Sequence, residues 1–143
     1  MKRLTLRNVL VGAVAAALVC GCASMGKGPS DEELVMDVIN AWAATLPEQD
    51  MEKAMTYYSE DFEHYEYGDK EGLEDFLEDA AAMGYLDDAE TNLDEVEIEI
   101  EENTATVYPI ELTAAFGSGT IELTLTKEAS GKWMITGMEV EAY

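Results

Sequence analysis

The chain has 143 residues, of which 31 are Asp or Glu and 8 are Lys or Arg, a formal net charge of −23. That length suits one domain, and a hydrophobic content of 48% belongs to a globular chain, not to a charge-rich disordered one. A nucleic-acid binder needs a basic stripe to displace counterions from phosphates, and this composition excludes one; it equally excludes electrostatic attachment to anionic lipid headgroups.

Residues 1–21 read as a targeting segment. Lys2, Arg3 and Arg7 form a positive n-region, and Val9 to Val19 an apolar run broken only by Gly12. That run is well short of the ~20 residues a membrane-spanning helix needs. It ends in Val19-Cys20-Gly21-Cys22. This resembles the lipobox of bacterial lipoproteins, with an aliphatic residue three before a cysteine and a small residue just before it. The resemblance implies cleavage before Cys22, diacylglycerol on its thiol, and residues 22–29 as lipidated cysteine and short tether. Several acyl chains on one residue anchor stably. The other reading of the segment is an ordinary secretory signal cut near Ala23. With Ala rather than Asp after the cysteine, Gram-negative sorting would deliver the protein to the outer membrane, facing the periplasm. Cys20 leaves with the signal and Cys22 carries lipid, so residues 30–143 offer no disulfide, thiolate metal site or cysteine nucleophile.

Ser30 and Glu33 form a capping-box pair opening a helix whose apolar positions are Leu34, Val35, Val38, Ile39, Trp42 and Leu46, with Pro47 at its stop. Asp50 caps a shorter second helix running through Met51, Ala54, Met55 and Tyr58. Phe62 to Tyr67 is aromatic and reads as a short strand. Gly68-Asp69 turns into a third helix with Leu73, Phe76, Leu77, Ala80 and Ala81 on its inner stripe and Gly84 at its end. Tyr85 to Asn92 reads as a polar connection. Beyond residue 93 the apolar period changes from 3.6 to 2: Val96, Ile98 and Ile100 alternate with Glu95, Glu97, Glu99 and Glu101, as in an antiparallel strand with one wet face. Glu102-Asn103 is a turn. The next strand changes parity between Val107 and Ile110, which a bulge at Tyr108-Pro109 reconciles. Gly117-Ser118-Gly119 reads as a hairpin turn before Ile121, Leu123 and Leu125. Ser130-Gly131 turns into a last strand, Trp133 to Glu141, with a second bend at Gly137. The fold class is α+β, three N-terminal helices covering a bent antiparallel sheet.

The order and several local motifs resemble the nuclear transport factor 2-like superfamily, which includes SnoaL-like proteins and ketosteroid isomerase. The matching stretches are Trp42 through Asp50 to Tyr58-Ser59-Glu60-Asp61-Phe62, then Gly68-Asp69-Lys70-Glu71-Gly72-Leu73 to Phe76-Leu77, then Gly131-Lys132-Trp133-Met134-Ile135-Thr136. Together they span residues 31–141. The resemblance implies a cone, in which a curved sheet wraps a cavity closed by helices. It does not imply one function, because the superfamily holds isomerases, dehydratases, hydrolases and pure binders.

Ketosteroid isomerase places a carboxylate base on its first short strand, which matches Glu66, and a tyrosine hydroxyl on its first helix, which falls on Trp42. Its later acidic donor has only Glu111 to match it. The oxyanion half is therefore not evident, and isomerase activity is not expected. His64, the sole histidine, shares a face with Phe62 and Glu66 by alternation, so a His64–Glu66 pair is the candidate for acid/base chemistry. A partly exposed rim histidine is the plainer reading. No metal site and no cofactor are expected. Trp42, Tyr58, Phe62, His64, Glu66 and Tyr108 are the candidates for a ligand pocket, where rings would favour a flat apolar or cationic ligand.

Without the signal, five basic residues remain against 31 acids, a net charge of −26. Residues 31–102 hold 26 acids against Lys53 and Lys70, whereas residues 103–143 hold 5 acids against Lys127 and Lys132. The expectation is a lipid-anchored envelope protein with a non-catalytic binding domain for a small neutral or cationic, partly apolar ligand. A SnoaL- or dehydratase-type enzyme using His64 and Glu66, and an envelope assembly protein without a small ligand, are the alternatives. A homodimer through the open sheet face is left open, although the Glu95–Glu101 face argues against pairing through that strand.

Overall fold

Acidic residues open the first helix and an apolar stripe fixes which side of it is buried. In a computed structural model, which describes residues 28–143, α1 spans Asp31–Glu48 with Asp31, Glu32 and Glu33 in its first turn. Negative charge there complements the helix dipole. Val35, Ile39, Trp42, Ala43 and Leu46 are buried along one face, and Pro47 sits in the last turn. The expected signal segment 1–21, the lipidation at Cys22 and the tether to residue 27 lie outside the described residues.

The helix α2 is short, Met51–Met55, and the Asp50 carboxylate accepts the Lys53 backbone N–H at 3.1 Å, as the capping pattern implies. From there the chain leaves helical geometry earlier than expected. Tyr58 forms a parallel bridge with Ile135: the Ile135 N–H donates to the Tyr57 carbonyl at 2.9 Å, and the Ser59 N–H donates to the Ile135 carbonyl at 2.8 Å. The segment thus runs as an extra edge beside the last strand.

The strand expected over Phe62 to Tyr67 shrinks to β1, Glu63–His64, paired with β2, Gly68–Asp69. Its second half turns because the His64 ring accepts, at Nδ1, the backbone N–H groups of Glu66 (3.0 Å) and Tyr67 (3.3 Å), donors that a strand would have spent on a ladder. Helix α3, Lys70–Ala82, is capped by Asp69, whose carboxylate accepts the Gly72 N–H at 3.1 Å. Leu73 and Ala80 are buried as expected, but Phe76 is 43% exposed and lies on the Tyr67 ring, not in the core.

The sheet consists of β3 (Glu90–Asn92), β4 (Glu97–Glu101), β5 (Thr104–Ala114), β6 (Gly117–Lys127) and β7 (Trp133–Ala142). All neighbours are antiparallel, in the order β3-β5-β6-β7, and β4 pairs with the first half of β5 while β3 pairs with its second half. β3 falls within the stretch read as a polar connection; only three residues long, it has no alternation to reveal it. The register shift between Val107 and Ile110 lets Ala105, Val107, Ile110 and Leu112 all point inward. A second shift opposite Thr124–Leu125 leaves Thr136 unpaired beside Gly137, as the bend requires. Gly117-Ser118-Gly119 is not the turn. It belongs to β6, the turn is Ala115-Phe116, and a Cβ on Gly119 would sit 3.0 Å from the Glu141 carbonyl.

Residues Asp31–Tyr143 form one compact unit in which α1 packs against β3, β4 and β7, and α3 packs against α2 and β2. At one end the Asp31 carboxylate accepts from Lys127 Nζ (2.9 Å) and Trp133 Nε1 (3.2 Å), tying the start of α1 to β6 and β7. The Lys127 hydrogen bond, then that of Trp133, holds the Asp31 carboxyl below its ordinary range.

Candidate functional site

The buried side chains of α1, the segment after α2 and the sheet form one hydrophobic core. Trp42 is 2% exposed, and its Nε1 donates to the Tyr58 hydroxyl at 2.9 Å; that hydroxyl in turn donates to the Met138 sulfur at 3.9 Å. The Tyr58 and Phe62 rings meet edge to face at 5.3 Å. Burial pushes the Tyr58 phenol far up, against the lowering effect of the Trp42 hydrogen bond. The phenol is therefore neutral, and its donor and acceptor are both spent inside the protein. Trp42, Tyr58 and Phe62, expected to line a pocket, are buried members of the hydrophobic core.

His64 and Glu66 do not converge in an enclosed cavity. The His64 ring is held by the two backbone N–H groups of its own turn and lies between the rings of Tyr65 (4.5 Å) and Tyr67 (4.4 Å). Tyr67 in turn stacks on Phe76 at 4.3 Å, giving a column of four rings. With Nδ1 accepting, the neutral imidazole carries its proton on Nε2. Glu66 is exposed; what links it to His64 is its backbone N–H. Burial, followed by the charges of Glu66 and Tyr65, raises the Tyr67 phenol.

Three surface concavities that share lining residues bring other side chains together. One concavity of about 280 Å³ lies between the β1 segment and the outer face of β6 and β7, with Glu63, His64 and Tyr65 on one side and Glu122 and Glu139 on the other. Gly137 and Thr124 line it too, the glycine leaving space that a side chain would fill. A second, of about 200 Å³, shares Glu122 and Glu139 and adds Tyr108 and Glu141. A third, of about 520 Å³, shares Glu63, His64 and Tyr65 and adds Asp69. Tyr65 is 88% and Tyr108 44% exposed. No Lys or Arg lines any of the three.

Glu122 stands directly opposite Glu139 in the β6–β7 register. Like charges in that position repel. Neither has a cationic partner: the ion pairs among the described residues are Lys70–Glu60 and Lys127–Asp31. No group of three or more His, Cys, Asp or Glu among the described residues is arranged to hold a metal ion. Of the six sequence candidates, His64 lines the first and third of these concavities and Tyr108 the second. Glu122, Glu139 and Glu141 were missed because outward-facing acids on a strand read as ordinary wet surface.

Solved structures resemble this arrangement of elements closely. A nuclear transport factor 2-like protein of unknown function from Pseudomonas putida superposes with a TM-score of 0.65 at 13% identity, over 78% of this chain and 86% of the other. A protein of unknown function with a cystatin-like fold from Nostoc punctiforme gives 0.65 at 15% identity, over 79% and 91%. The chain has the nuclear transport factor 2-like fold. A ketosteroid isomerase candidate from Shewanella frigidimarina shares that fold with a TM-score of 0.63 at 18% identity, over 76% of this chain and 94% of its own. No family model and no curated protein matches the sequence. Within the nuclear transport factor 2-like domain, no helix among the described residues is long and apolar enough to cross a membrane.

Proposed function

We propose that this is a lipid-anchored protein of the bacterial cell envelope, held at Cys22, whose nuclear transport factor 2-like domain binds a small cationic, partly apolar ligand without transforming it. One observation carries the binding reading. The buried Trp42 and Tyr58 polar groups satisfy one another, whereas carboxylates without cations and exposed rings line neighbouring surface concavities beside β6 and β7. Such a surface repels anions and attracts an organic cation, whose charge the carboxylates neutralise and whose apolar part the rings cover. Acid/base catalysis finds less support, because Glu66 faces solvent and His64 Nδ1 is engaged by its own turn. The anchoring reading rests on the sequence of residues 1–22.

Native mass spectrometry of the full chain released from membranes in mild detergent tests the binding reading. The expected result is a retained small cation that Glu122→Gln weakens; retention of anions alone sinks the idea. For the anchor, Cys22→Ala moves the protein from the membrane to the soluble fraction. Unchanged partitioning would remove it.

A further inference from the structure

We propose that the turn after β1 is a pH-sensitive latch, closed while the His64 imidazole is neutral and opened when a proton redirects the ring to Glu122 and Glu139. The device needs no bound ligand and stands apart from the small-cation reading.

The catch is a single ring nitrogen. His64 Nδ1 accepts the backbone N–H groups of Glu66 at 3.0 Å and Tyr67 at 3.3 Å, so it presents its lone pair to both. An imidazolium carries a proton on each nitrogen and accepts nothing. A second proton on His64 would set an N–H against two N–H donors, and the two bonds that close the turn are lost together. Histidine is the side chain whose charge ordinarily changes between about pH 5 and pH 8.

The surroundings supply the other half. The charged groups around His64 are Glu63 and Glu66 on its own segment, Asp69 on β2, and Glu122 of β6 with Glu139 of β7 across the concavity of about 280 Å³. Its ring neighbours are the phenols of Tyr65 and Tyr67, and α3 adds the uncharged Phe76 behind Tyr67. Asp69 is spent on the Gly72 N–H, and Lys70, which follows it, is paired with Glu60. Glu122 and Glu139 stand opposed in register, with no Lys or Arg lining the concavity they share with His64. Each charge state of the ring thus has partners of its own: backbone donors when neutral, strand carboxylates when charged.

The turn also reaches α3. The Tyr67 N–H is held by His64, while the Tyr67 carbonyl occupies the space where a Cβ on Gly72 would sit. Opening the turn separates the His64 and Tyr67 rings and uncovers the face of Phe76 on which Tyr67 lies.

NMR of the full chain in detergent micelles, from about pH 8 to pH 5, tests the latch. His64 is the sole histidine, so its imidazole signals identify themselves. Amide exchange at Glu66 and Tyr67, corrected for its intrinsic pH dependence, is expected to speed up at least about tenfold across the imidazole titration. The Ser59 N–H, held by the Ile135 carbonyl, should keep its protection. His64→Asn retains a side-chain acceptor for the same turn and takes up no proton, so both amides should stay protected throughout. Glu122→Gln combined with Glu139→Gln should move the imidazole midpoint to lower pH. Protection lost equally in His64→Asn, or lost at Ser59 as well, would show a general acid effect and overturn the proposal. So would an imidazole that titrates without disturbing the two amides, one that does not titrate in this range, or a midpoint unmoved by the double variant.

Discussion

The indole N–H of Trp42 donates to the phenolic oxygen of Tyr58 across 2.9 Å, joining the middle of α1 to the segment that runs beside β7. Both side chains are buried, and the bond fixes how the helical cover sits on the sheet edge. Tyr58→Phe removes the acceptor and strands a buried indole N–H, a loss of about 1–3 kcal/mol. Urea unfolding followed by Trp fluorescence measures it. Trp42→Phe combined with Tyr58→Phe should cost less than the two single losses added together; strict additivity would mean the bond does not couple the two residues.

Alkaline pH probes the same tyrosine. Burial raises the folded pKa of Tyr58 far above its ordinary value of about 10. The stability this contributes is complete below the unfolded pKa and is lost as pH rises toward the folded one. Of seven tyrosines, Tyr58 should give no phenolate absorbance while the domain is native, and Tyr67, also raised, should titrate late. The missing absorbance should appear only with unfolding. A Tyr58 signal in the native state would contradict the packed interior.

The Asp31 clasp makes the opposite prediction at low pH. Its folded pKa is lowered, first by the Lys127 hydrogen bond and then by Trp133. The contribution is therefore present above the unfolded carboxylate pKa of about 3.9 and lost as pH falls through the folded value. Asp31→Asn should flatten that part of the acid unfolding profile. Lys127→Met should bring the loss to higher pH, because the larger of the two lowering contacts is gone. Thermal melts across an acid series give the comparison.

Gly72 is required by a close approach and not by its backbone angle. A Cβ there would collide with the Tyr67 carbonyl, where the turn after β1 meets the first turn of α3. Gly72→Ala must push that turn away, and a destabilisation of about 1–3 kcal/mol is expected. The ring column formed by Tyr65, His64, Tyr67 and Phe76 should loosen with it, visible as lost ring-current shifts in the NMR spectrum.

Local pattern carried much of the fold. The apolar stripe of α1, the Asp50 and Asp69 caps, the alternation of Ile98 and Ile100, and the bends at Pro109 and Gly137 all depend on residues near one another in sequence. The readings that changed depended on something distant or atypical. The 62–67 strand yielded to a histidine acting as a turn acceptor. The Gly117-Ser118-Gly119 stretch became strand because it pairs with the end of β5 and, at Gly119, with the end of β7. β3 is recognisable only through its pairing with Glu111–Thr113.

The candidate site was less legible. His64 and Tyr108 were named from residue type and line different surface concavities, whereas Trp42, Tyr58 and Phe62 are in the core. An aromatic side chain looks the same in a sequence whether it lines a cavity or fills it. The amino-acid sequence by itself determined the order of the three helices and of the four long strands, most of the faces that must be buried and the concentration of acids before residue 103. Only the tertiary structure decided that Trp42, Tyr58 and Phe62 are buried in the core and that Glu122 faces Glu139. Those two outcomes depend on strand register and side-chain packing between residues far apart in the chain, which no local periodicity encodes.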